Sequence, residues 1–359
     1  MHTAIGLMSG TSMDGIDAAI LRTDGHRIEG FGTSLFTPYD AEFRRRLRAT
    51  LGGKGEVDAV AAELTRRHAE AVSRLLQEAG LDRSEIDVIG FHGQTIDHDP
   101  DHGRTWQIGD GDLLARAAGV PVVNDFRSED MAHGGQGAPF ASLYHQALCA
   151  DLEKPVAILN LGGVANVTWI GPGGEDDILA FDTGPASAPI DDWVLGKTGA
   201  EMDEGGRLAA KGQVHRDVID KALAHPYLAK QPPKSLDRND FTADLVEGLS
   251  IEDGAATLSA LVAETVARGA DFFPAPAKRW LVTGGGRHND TIMTMLRARL
   301  GAPVEPVEAV GWDGTMIEAQ AFAFLSVRSM EGLPLSVPGT TGVPRPVTGG
   351  RLHKPKGSN

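Results

Sequence analysis

Apolar positions along the chain alternate between two periods, and the alternation itself is ordered. Residues 4–8 are a short apolar run that ends in a Gly/Ser/Thr loop, and residues 16–21 are a second run. Residues 27–36 alternate as a third, with Asp24–Gly25 as a hairpin turn before them. Residues 57–79 then carry Val57, Val60, Ala61, Leu64, Ala71, Leu75 and Leu76 on one helical stripe, and Gly80 stands where a helix would end. A strand over 86–91, a short helix over 112–118 and a strand over 120–124 follow.

The pattern then restarts. Residues 156–161 are an apolar strand running into Gly162–Gly163, residues 164–170 the next strand, 171–174 a turn, and 178–181 a third strand. Helical patterns follow, the longest over 255–272. Residues 280–283 read as a strand that breaks into Gly284–Gly285–Gly286, with helices over 292–300 and 315–330 after it. Residues 332–359 are rich in Pro and Gly and read as irregular. A strand, glycine loop, strand, turn and strand thus occur twice, over 4–36 and 156–181. This predicts an α/β fold of two similar mixed-sheet domains flanking a ligand cleft. We expect a first domain of 1–133 plus 336–359 and a second of 134–335.

Composition narrows the class. The chain has 359 residues and a formal net charge of −15, which argues against a general nucleic-acid binder. No run of about 18 apolar residues is present, so no membrane partner is expected. One cysteine, Cys149, makes no intrachain disulfide, and the start lacks a charged signal-peptide pattern, so the expected location is the cytoplasm.

The candidate chemistry lies at strand ends. Gly10–Thr11–Ser12–Met13–Asp14–Gly15 closes the first hairpin. Its N–H groups can converge on an anion, and Asp14 or Asp17 can reach Mg²⁺ through water; an ordinary hairpin loop would look the same. Asn160–Leu161–Gly162–Gly163 is the matching loop of the second half, and a triphosphate needs donors from two such loops. Gly284–Gly285–Gly286 permits close backbone approach but fails the dinucleotide fingerprint, because Asn289 stands where its last glycine belongs. Asp182, leaving a strand into Thr183–Gly184–Pro185, is a candidate general base or a plain turn aspartate. His92, Gln94 and Thr95 suit a polar ligand such as a sugar, and Arg127, after Asn124–Asp125–Phe126, suits a carboxylate. His98, Asp99, Asp101 and His102 fit no familiar metal spacing and read as a solvated loop.

These residues also resemble a known family. The opening Gly6–Leu7–Met8–Ser9–Gly10–Thr11–Ser12–Met13–Asp14–Gly15–Ile16–Asp17 looks like that of the anhydro-N-acetylmuramic acid kinases. Phe91–His92–Gly93–Gln94–Thr95, Gly134–Gly135–Gln136–Gly137–Ala138–Pro139 and Phe181–Asp182–Thr183–Gly184–Pro185 agree, in order, as does Asp313–Gly314–Thr315–Met316–Ile317–Glu318–Ala319.

The resemblance implies the sugar-kinase, heat-shock-protein and actin fold, with a ribonuclease H-like duplicated unit. It implies ATP and Mg²⁺ as cofactors, 1,6-anhydro-N-acetylmuramic acid as substrate, a role in peptidoglycan recycling, and a homodimer. Carried over, Asp182 is the base and Glu318 a second acid/base or metal contact. Gly10, Thr11, Ser12, Met13, Asp14, Gly15, Ile16 and Asp17 form the first phosphate segment. Asn160, Gly162 and Gly163 form the second, and Gly284, Gly285 and Gly286 lie against adenosine. His92, Gln94, Asp125, Arg127 and Gln136 are the expected substrate contacts. The superfamily often has Asp at the places of Met8 and Asn160, and the family commonly follows Pro232–Pro233–Lys234–Ser235 with Thr–Gly where Leu236–Asp237 stand. Another sugar kinase of the same fold, or an actin- or chaperone-like nucleotide-binding protein, would carry similar loops.

Overall fold

Strand β1 (His2–Ser9) pairs antiparallel with β2 (Gly15–Thr23), and β2 with β3 (Ile28–Pro38). The computed structural model describes residues 1–10 and 12–355, the Asp101 side chain apart; Thr11 lies outside them. Almost every residue of β1 and β2 is buried, as expected of strands covered on both faces, whereas β3 alternates at the sheet edge. Helix α1 (Ala41–Arg48) starts where the Asp40 side chain accepts from Phe43 N–H, a capping bond worth roughly 1 kcal/mol. Helix α2 (Val57–Ala79) buries Val60, Leu64, Ala71, Val72 and Leu75, and Gly80 ends it with φ +66°.

Strand β4 (Val88–Asp99) lies parallel to β1 and runs beyond the apolar segment that predicts it. It continues because β5 (Arg104–Ile108) pairs back along residues 94–99. Helix α3 (Gly111–Ala118), strand β6 (Val122–Asn124) and helices α4 (Ser128–Ala132) and α5 (Ser142–Leu148) complete this stretch.

The repeat then begins again. Strands β7 (Val156–Leu161), β8 (Val164–Ile170) and β9 (Ile178–Pro185) form a second antiparallel meander. Helices α6 (Ser187–Thr198), α7 (Arg216–Leu223) and α8 (Pro226–Ala229) follow. Helix α9 (Ile251–Ala270) is buried almost all round and packs on β9 and α6. It starts earlier than its apolar pattern because the Ser250 side chain caps Asp253 N–H. Strand β10 (Arg279–Thr283) is parallel to β7; after helix α10 (Asp290–Arg299), strand β11 (Val304–Pro306) is parallel to β10. The sheet order is β11-β10-β7-β8-β9, and Trp169, Phe181, Trp193 and Trp280 fill its core.

The chain closes with helix α11 (Ile317–Met330), helix α12 (Pro338–Thr341) and strand β12 (Arg351–His353). Strand β12 pairs antiparallel with β6, so the segment read as irregular supplies an edge to the first sheet, ordered β12-β6-β4-β1-β2-β3 with β5 on β4. Contacts divide the chain into Met1–Ala150 with Met316–Asn359, and Asp151–Thr315. Residues 134–150 and 316–335, expected in the second domain, fall in the first unit, because α11 packs on β1, β2 and β4 and α5 packs on α11. Each unit has a mixed sheet opening on a three-strand meander, as the repeat predicts.

Candidate active site

In the first unit the glycine loop is tied to β4 by hydrogen bonds. Gln94 is buried at the end of the apolar part of β4; its Oε1 accepts from Ser9 Oγ at 2.7 Å, and its Nε2 donates to the Gly10 carbonyl at 3.2 Å. Tyr39 O–H donates to Ser9 Oγ at 3.0 Å. Met13, buried at φ +52°, turns the loop, and its N–H donates to the Gly10 carbonyl. Ser12 Oγ donates to Asp14 Oδ1 at 2.6 Å; Ser12 and Asp14 are exposed. Gly15, Ile16 and Asp17 lie on β2, with Asp17 opposite Met8. Sequence reasoning missed Ser9 and Tyr39.

Also in this unit, His92 is buried and Arg127 donates to it, while Arg127 Nη1 donates to the Gly137 carbonyl at 2.5 Å. Gly137 N–H in turn donates to Asp130 at 2.7 Å, and Gln136 N–H to the Thr341 carbonyl at 2.7 Å. His92 and Asp125 line a cavity of about 360 Å³ with Trp106, Asp110, Arg351 and His353. Gln94, Arg127 and Gln136 are not among its lining residues. Asp125 sits at φ +53° with Oδ1 accepting from Ser128 Oγ, a conformation aspartate tolerates better than most residues. Arg351 and His353 reach the cavity only because β12 pairs with β6, and the alternation around Leu352 is too short to signal a strand.

The second unit brings its two glycine loops together. Thr283 stands beside Asn160 in the β10–β7 register. A Cβ on Gly284 would collide with Asn160 Oδ1 and lie 2.6 Å from the Leu161 carbonyl oxygen; one on Gly286 would lie 2.7 Å from Leu161 Cβ. Only glycine lets residues 284 and 286 pass this close to Asn160 and Leu161. Arg287 fixes the loop: Nη1 donates to the Gly284 carbonyl at 2.9 Å, Nη2 to Thr315 at 3.1 Å, and Nε to Glu308 at 2.9 Å. On the other side, the carbonyls of Gly162 and Gly163 accept from Ser187 and Ala186 N–H at 2.9 and 3.1 Å.

Asp182 lies inside β9, opposite Asn166 on β8, and is 9% exposed. The strand runs on to Pro185, so Asp182 does not leave it into a turn as the sequence suggested. Its Oδ2 accepts from Leu236 N–H at 2.8 Å, its carbonyl from Tyr227 O–H at 2.6 Å, and its N–H donates to the Lys234 carbonyl at 3.0 Å. A hydrogen bond to a charged group is worth roughly 1.5–3 kcal/mol, so the carboxylate is well oriented. Glu318 is half-buried in the first turn of α11, in the first unit.

Among the described residues no group of three His, Cys, Asp or Glu is placed to hold a metal ion. His102 instead contacts Asp99 at 2.8 Å, as does Arg104 at 2.9 Å, and His98 Nδ1 lies 3.1 Å from Thr105 Oγ1. No described helix is long and apolar enough to cross a membrane.

Residues 2–355 match the family described as anhydro-N-acetylmuramic acid kinase. The chain belongs to this family. The anhydro-N-acetylmuramic acid kinase of Paramagnetospirillum magneticum is 57% identical over 355 residues, covering 98% of this chain and 99% of the relative. Those of Rhodospirillum rubrum and Acidiphilium cryptum are 54% and 53% identical, over 97% and 99% of this chain and 93% and 99% of theirs. The protein is therefore a kinase.

Proposed function

We propose that the kinase uses ATP to open 1,6-anhydro-N-acetylmuramic acid and phosphorylate it, serving peptidoglycan recycling. The observation that carries this reading is the setting of Asp182. Its carboxylate, on a residue inside β9, is held by the Leu236 N–H, and the backbone around it is fastened on both sides. A carboxylate so fixed can take a proton from water as that water attacks the anomeric carbon. The bond from C1 to O6 breaks, its electron pair stays on O6, and O6 takes the γ-phosphoryl group, releasing ADP and N-acetylmuramic acid 6-phosphate.

The remaining roles follow the chemistry of each segment. Residues 10–17 and 160–163 offer backbone N–H groups to phosphates, and residues 284–286 lie against adenosine. Arg127 is the cation for the anionic lactyl group, with His92, Gln94, Asp125 and Gln136 as polar contacts. Glu318 assists as a second acid/base. Mg²⁺ is proposed to arrive with the nucleotide; Asp14 and Asp17 do not by themselves form a metal site among the described residues. The cytoplasm and a homodimeric state belong to the same proposal.

The test is incubation with Mg-ATP and the anhydro sugar in ¹⁸O water, read by mass spectrometry. A phosphorylated product carrying one labelled oxygen is expected. An unlabelled phosphorylated sugar, or ADP formed regardless of the sugar, overturns the reading.

A further inference from the structure

We propose that Lys234 is a positioning residue for Asp182, its ammonium fastening together the two chain segments that hold the carboxylate in place. The inference rests on the role given to Asp182 above.

Lys234 is 5% exposed, yet its ammonium makes no ion pair among the described residues. It donates instead to the carbonyls of Tyr227 and Leu228, both at 3.3 Å. The rings of Phe272, Tyr227 and Phe181 surround it at 4.6, 4.8 and 5.8 Å, a cage that partly replaces lost hydration. Burying an ammonium without a carboxylate is costly, and an apolar side chain of similar length would fill the same space more cheaply. The cage therefore calls for an explanation beyond packing.

The segments it joins supply one. Tyr227, on α8, donates its hydroxyl to the Asp182 carbonyl. Lys234 itself accepts from Asp182 N–H through its own carbonyl, and Leu236, two residues on, donates to the Asp182 carboxylate. The ammonium bonds the carbonyl of the very tyrosine that touches Asp182, so one side chain closes a ring of contacts around the base. Burial, then the charge of Lys230, pushes Lys234 down to about 8, while the charge of Asp182 opposes the fall, so the ammonium form prevails at neutral pH.

The experiment compares the full chain with Lys234→Met, Lys234→Arg, Asp182→Asn and the double variant Asp182→Asn/Lys234→Met. Methionine keeps the stem in the aromatic cage and removes the charge. Small misplacement of a reacting group costs up to about a hundred-fold, so kcat should fall roughly ten- to a hundred-fold in Lys234→Met. KM for ATP should stay within about two-fold, Lys234→Arg should recover part of the rate, and the double variant should be no slower than Asp182→Asn alone. A merely structural role predicts instead that the two losses multiply, and that result overturns the proposal. So does an unchanged kcat in Lys234→Met. Should Lys234→Met show no cooperative melting transition, Lys234→Gln, which keeps a donor for the two carbonyls, takes its place in the same cycle. Full activity in Asp182→Asn fails the reading of the site itself, whereas an inactive Asp182→Asn beside a fully active Lys234→Met fails only the role of Lys234.

Discussion

Arg127 aims Nε and Nη2 at a single atom, Nε2 of His92, at 3.2 and 3.0 Å. Both groups donate, so Nε2 accepts and the ring is neutral. Its proton then sits on Nδ1, which faces the Gly93 carbonyl at 2.9 Å. Burial, reinforced by the charge of Arg127, holds the His92 pKa well below the ordinary 6.5. His92 thus serves as an acceptor that orients the guanidinium, and Nη1 of the same group donates to the Gly137 carbonyl, leaving two of its five N–H groups for other partners.

This arrangement carries a stability prediction with a definite sign. His92 shares its neutral state with His68, His98 and His145, each pushed down to about 4, first of all by burial. In the unfolded chain each binds a proton near pH 6.5. Below that, the unfolded state holds more protons than the native state, so stability falls as pH falls. The slope is about 1.4 kcal/mol per pH unit for each net proton. Asp191, raised to about 7 by burial and then by Asp192, has the opposite sign and cancels one histidine. Urea midpoints should therefore drop steadily from pH 7 to pH 4.5. A flat profile over that range would contradict these four neutral histidines.

Asp182→Asn should lose roughly 10²–10⁴-fold in kcat, the usual worth of general base catalysis, while ATP binding persists. The amide oxygen can still accept from Leu236 N–H, so the melting temperature should change little. Retention of more than about a tenth of kcat excludes the base role.

Gly284→Ala and Gly285→Ala should part company. At Gly284 a methyl group meets Asn160 and Leu161, and φ is +78°, so the variant should lose about 2 kcal/mol or more. At Gly285 no atom lies within 4 Å of the added carbon, so stability should stay within about 0.5 kcal/mol. Yet Gly285→Leu should raise KM for ATP, because that open side is where the adenosine is proposed to lie. Equal stabilities for the two alanine variants would be inconsistent with the close approach of the loops.

Most of the scaffold is legible because its strands are continuous apolar runs and α2 keeps one clean stripe. Three strands are not. Arg104–Ile108 alternates between exposed and half-buried residues before the buried Ile108, and Val304–Pro306 and Arg351–His353 have only three residues each, so pairing rather than hydrophobicity creates all three. Asp182 stands out in the sequence because Gly184 and Pro185 mark the end of its strand. Tyr227, Lys234 and Leu236 do not, because their meeting with Asp182 depends on a long excursion of the chain that no local period describes. The same holds for Tyr39 against Ser9 and for Arg287 against Glu308 and Thr315.

Gly6 and Gly90 lie directly beneath α11, where a methyl group on either would collide with the carbonyl of Ala319 or Phe322. The sheet of the first unit is thus shaped, near its N-terminus, for a helix encoded close to the other end of the chain. During synthesis that surface has no cover until residue 330 has left the ribosome, whereas Asp151–Thr315 is continuous and gains all its own contacts earlier. The second unit is accordingly positioned to finish folding before the first, and a message truncated ahead of α11 would yield a chain whose opening strands keep the cover of α1 and α2 but leave their other face bare.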